Sequence, residues 1–68
     1  MDDTTRNDIR KLLKNFGVLA DEMITAHIKR FPSHHTLHLR LSLEDLTDYG
    51  SSSPEESLHM EIEGEIRR

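Results

Sequence analysis

The sequence predicts an α+β fold: one long N-terminal helix with room to bend, then an antiparallel β-hairpin, completed as a homodimer with a four-stranded sheet. Three observations carry this. Leu37, Leu39, Leu41 and Leu43 alternate with His38, Arg40 and Ser42. Leu58, Met60, Ile62 and Ile66 alternate with His59, Glu61, Glu63 and Glu65. A period of two puts one set of side chains on each face of a strand, so each segment has an apolar and a polar face. Upstream, apolar residues recur instead at spacings of three and four, the period of an amphipathic helix.

The helix is expected over about residues 5–30. Ile9, Leu12, Leu13, Phe16, Leu19, Ala20, Met23, Ile24, His27, Ile28 and Phe31 fall within about half its circumference, with Val18 on the far side. Thr5 and Asp8 approximate a capping box, and Asp2 and Asp3 suit the positive end of the helix dipole. Lys29 and Arg30 suit the negative end. Pro32 stops the helix and pushes Phe31 towards extended geometry. Gly17 is the weak point, at about 0.5–1 kcal/mol relative to alanine. The apolar stripe nevertheless keeps its phase across Gly17, so one continuous helix is expected.

The strands are expected over about residues 36–44 and 57–67, joined through a mobile loop at about 48–56 that is rich in serine, with Gly50 and Pro54. Alternation fails after Leu43, because Asp45 falls on the apolar face. Leu46 and Tyr49 are expected to cover the open end of that face. Consecutive strands joined in this way pair antiparallel most simply. Placing Leu43 opposite Leu58 sets Arg40 against Glu61 and His38 against Glu63, and other registers of the same parity keep the same faces.

Sixty-eight residues make one small domain. A chain of this size buries only about 60% of its unfolded surface, so a monomer is marginal. With no cysteine, neither a disulfide nor a thiolate metal site can reinforce it, and a cytoplasmic setting is the expectation. No apolar run approaches the roughly 20 residues of a membrane span, and the acidic start, Met1-Asp2-Asp3, is not the basic region of a signal peptide. A helix of about 26 residues is about 39 Å long and a nine-residue strand spans about 30 Å, so one hairpin covers the helical stripe poorly. Each strand would also keep an unpaired edge. Homodimerisation answers both problems, with Leu12, Phe16, Leu19, Met23, His27, Leu37, Leu39 and Leu41 as the association interface.

Charge is unevenly placed. Through Arg40 there are seven basic and five acidic residues, a balance of +2; from Leu41 onward two basic and eight acidic, a balance of −6. Overall acidity disfavours non-specific nucleic-acid binding. Arg10, Lys11 and Lys14, with Arg6 nearby, form the one basic patch that could meet phosphates. No aromatic side chain accompanies it, so bases have no stacking platform.

Catalysis finds little support. Ser51, Ser52 and Ser53 lie in a loop with no histidine placed beside them, and Glu61, Glu63 and Glu65 alternate on an open face rather than in a cleft. The three glycines are scattered, so no loop cradles a phosphate. Five histidines, His27, His34, His35, His38 and His59, raise the question of a metal. Adjacent histidines on a strand point to opposite faces, however, and no strong ligand spacing is present. His27 lies in the apolar stripe. At an interface its protonation would weaken association, because burying an unpartnered charge is costly.

The expectation is therefore a small non-enzymatic module for protein interaction or regulation. It would be homodimeric, with no cofactor, no metal ligand set and no membrane segment. A protein partner would meet the polar sheet face or an exposed strand edge. The alternatives are a nucleic-acid or ribosome-associated regulator using Arg10, Lys11 and Lys14, and a histidine-based metal-binding protein.

Overall fold

The computed structural model describes residues 2–68. The element order is α1 (Asp3–Arg30), β1 (Leu37–Glu44) and β2 (His59–Ile66), the helix followed by an antiparallel two-stranded hairpin. The chain divides into a helical unit that ends at Ser33 and a hairpin unit, His34–Arg68.

Helix α1 starts three residues earlier than the Thr5–Asp8 capping pattern suggests. Asp2 is the N-cap, in extended geometry, and its carboxylate accepts the Thr5 N–H at 2.8 Å. Aspartate is among the best caps because its short side chain reaches one of the four unsatisfied N–H groups of the first turn. That bond, aided by the Thr5 hydroxyl, holds the Asp2 carboxyl below its ordinary range. The helix then runs unbroken through Gly17, where an added Cβ would meet nothing within 4 Å. It closes at Phe31, whose N–H donates to the His27 carbonyl at 2.9 Å.

In the hairpin, the alternation of β1 is visible as half-buried Leu37, Leu39, Leu41 and Leu43 between exposed His38, Arg40, Ser42 and Glu44. The parity of the pairing is as expected, but the register differs by two residues. Leu43 faces Met60 rather than Leu58; Leu41 faces Ile62, Leu39 faces Gly64 and Leu37 faces Ile66. On the polar face Arg40 faces Glu63 rather than Glu61, and His38 faces Glu65 rather than Glu63. A slip of two leaves every side chain on its own face, so the hydrophobic pattern is blind to it. The observed register brings Ile66 into the sheet opposite Leu37, and it gains a rung at the turn end, where the Asp45 N–H donates to the Leu58 carbonyl at 3.0 Å.

Candidate functional site

The residues expected to mediate association lie on two surfaces. On α1, Leu12, Phe16, Leu19, Met23 and His27 follow one another at three- and four-residue steps along one side. Leu12 is 67% exposed and Met23 73%. On the hairpin, Leu37, Leu39 and Leu41 share one face with Leu43 and, from β2, Met60, Ile62 and Ile66. Among the described residues no hydrophobic side chain is buried. Both surfaces are thus apolar, regular in spacing and wet, and apolar surface left in water costs about 25 cal/mol per Å².

Gly64 interrupts the hairpin's apolar face. It lies opposite Leu39, and an added Cβ would meet nothing within 4 Å. The face therefore carries a notch between Ile62 and Ile66, with Leu39 beside it. At the far end of α1, the His27 ring lies against Phe31, with centroids 5.2 Å apart, and the Arg30 guanidinium sits 5.4 Å from the Phe31 centroid. His27 itself is exposed.

The polar sheet face is organised by charge. Arg40 Nη2 lies 3.2 Å from Glu63 Oε1, within hydrogen-bonding distance. His38 Nε2 lies 3.6 Å from Glu65 Oε1, and His59 Nε2 lies 3.5 Å from Glu61 Oε1. These side chains are all half or more exposed except Glu61, at 47%. His59 faces Glu44 in the sheet, not Ser42 as pairing Leu43 with Leu58 would have it. Among the described residues no three histidine or carboxylate side chains come together as a metal cage.

Arg10, Lys11 and Lys14 are exposed on α1. At 100° per residue they span about a quarter of the helix circumference, on the side away from Leu12, Phe16 and Met23. Among the described residues no helix is long and apolar enough to cross a membrane.

One organised feature escaped the sequence reading: the entry to the hairpin loop. The Asp45 carboxylate accepts the Thr47 N–H at 2.9 Å and the Tyr49 hydroxyl. Asp48 then accepts the Gly50 N–H at 2.9 Å, and the Ser52 N–H donates to the Tyr49 carbonyl at 3.0 Å. Hydrogen bonds from Tyr49 and Thr47 hold the Asp45 carboxyl below its ordinary range, and the Asp45 contact pushes the Tyr49 hydroxyl above its own. Asp45 is half-buried and keeps the parity of the leucines, so its apparent misplacement marks the start of the turn. Leu46 does not cover the apolar face; it is 85% exposed. Two aspartates, each two residues before the N–H it captures, were the available signal.

No protein-family model, no curated protein and no solved structure matches the chain.

Proposed function

We propose that this chain is a small non-enzymatic homo-oligomeric interaction or regulatory module that works by association. The observation that carries the reading is the combination of well-formed secondary structure with large apolar side chains left in water on both units, from Leu12, Leu19 and Met23 on α1 to Met60 and Ile62 on β2. A two-stranded hairpin is marginal alone in water, and helix stability in proteins comes mainly from packing of an apolar face. A second copy would supply the missing packing. The polar sheet face, with Arg40, Glu63 and their neighbours, would then remain for a further protein partner.

Solution mass by light scattering over a dilution series tests this. A dimer or larger closed oligomer that dissociates on dilution, with loss of helical circular dichroism, is the expected result. A monomer with intact secondary structure at every concentration overturns it.

A second reading is a nucleic-acid or ribosome-associated regulator. The placing of Arg10, Lys11 and Lys14 on one exposed arc of α1 favours it. RNA binding that weakens steeply with salt, and weakens further on substitution of these three residues, would support it; no binding at low salt removes it. The acidity of the hairpin weighs against it.

A further inference from the structure

We infer that the second copy docks on the free edge of β1, antiparallel about a two-fold axis at Ser42, so that Arg40 faces the partner's Glu44. The inference rests on the homo-oligomeric reading above and names the surface that the association uses.

The register and one hydrogen bond determine what each edge offers. The Asp45 N–H donates to the Leu58 carbonyl, which makes Asp45 and Leu58 a hydrogen-bonded pair. In an antiparallel sheet such pairs alternate with non-hydrogen-bonded ones. The odd-numbered residues of β1 therefore direct their backbone groups at β2, while His38, Arg40, Ser42 and Glu44 direct theirs outward. On β2 the outward row is His59, Glu61, Glu63 and Glu65. The sheet has two strands, so both outward rows are unpaired within it.

The two rows differ in charge. Three of the four outward residues of β2 are glutamates. Pairing that edge with its own symmetry mate over most of its length, about Ile62 or Glu63, sets carboxylate against carboxylate, and like charges directly opposite are destabilising. Charge on an edge strand is the usual guard against such pairing. The β1 edge has no comparable guard: it carries one histidine, one arginine, one serine and one glutamate, and no proline. Its charges are self-complementary. With the axis at Ser42, Arg40 lies opposite the partner's Glu44 and Glu44 lies opposite the partner's Arg40. Moving the axis to Leu41 sets Arg40 against a serine, and moving it to Arg40 sets arginine against arginine.

The neighbouring strands reinforce this choice. Arg40 already pairs with Glu63, and Glu44 faces His59. A row across the four-stranded sheet then reads Glu63, Arg40, the partner's Glu44, the partner's His59, with the symmetric row beyond the axis. On the other face Leu41 meets the partner's Leu43 in a non-hydrogen-bonded pair, the arrangement that brings side chains closest. The leucine faces of the two hairpins become one continuous apolar layer. Pairing β1 with the partner's β2 would also match charges, but that contact is head-to-tail and gives a ring or an open filament, not a two-fold dimer.

Engineered cysteines in the full chain test the edge, because the chain has no cysteine of its own. In Ser42→Cys the two thiols face each other across Cα atoms about 5.5 Å apart, within disulfide range. Oxidation with diamide should convert this variant largely to a covalent dimer and leave Glu61→Cys, on the β2 edge, monomeric on a denaturing gel. Glu44→Gln removes both cross-axis pairs and should weaken the dimer about 2- to 30-fold, at 0.2–1 kcal/mol per pair. A dimer by light scattering that cross-links through Glu61→Cys, or through neither position, overturns the β1 edge and leaves the homo-oligomeric reading standing. Mass that keeps rising with concentration overturns the two-fold contact in favour of head-to-tail pairing. A monomer by light scattering overturns both readings.

Discussion

Gly17 and Gly50 show opposite uses of the same residue. Gly17 lies inside α1 with open space where a Cβ would go, and nothing in the structure requires its freedom. Gly17→Ala should stabilise the helix by about 0.5–1 kcal/mol, measured by chemical or thermal denaturation followed by circular dichroism. Gly50 has φ of 61° and begins the turn closed by Ser52 and Tyr49. Ser51 has no positive φ, so the turn is of the type that needs glycine at its first central position. Gly50→Ala should cost about 1–2 kcal/mol on the same measurement. Asp2 carries a pH signature. Its carboxyl is held below the ordinary aspartate range by the Thr5 N–H, so its contribution is fully present above that range and is lost as pH falls through the lowered native value. Helical signal from the first turn should decline over that acid range in the native chain and not in Asp2→Ser, a cap that does not titrate.

At the scale of elements, the helix was legible because its signals agree: an acidic cap, a stripe that keeps phase, and Pro32 after the end. The hairpin was legible in its faces but not in its register. Glu61, Glu63 and Glu65 form a ladder with a step of two, so Arg40 finds a carboxylate opposite it in either register. The charge pattern is degenerate with the same step as the hydrophobic one. A double-mutant cycle on Arg40 and Glu63 should return a coupling of about 0.2–1 kcal/mol that shrinks with salt, since both side chains are largely exposed. The same cycle on Arg40 and Glu61 should return close to none. Register is resolved at the turn, where Asp45 makes a backbone rung with Leu58 and ties down Thr47 and Tyr49.

At the scale of the whole molecule, the decisive fact is the absence of a buried hydrophobic side chain among the described residues. Folding must offset a conformational entropy cost of about 1–2 kcal/mol per residue, and dry apolar contact is the main source of that offset. If association supplies it, stability becomes a function of concentration. The thermal midpoint should rise steadily with protein concentration, by an amount that Met23→Ser or Leu12→Ser diminishes. A midpoint that is flat from micromolar to millimolar protein would show that one copy is stable alone. His27 belongs to this scale too. Its exposure in one copy means that any role in association depends on what a second copy brings near it.

The sequence alone determined the element types, their order and the face on which each strand side chain lies, and it favoured the unbroken α1 that the structure shows. All of these follow from local periodicity and local sterics, which a chain carries in its order of residues. Only the tertiary structure decided that Leu43 meets Met60, that Asp45 closes the hairpin, and that the outward backbone row of β1 runs through His38, Arg40, Ser42 and Glu44. Those depend on which of several equally patterned alignments the turn can close, a choice made by the Asp45–Leu58 rung together with the short-range hydrogen bonds inside the turn.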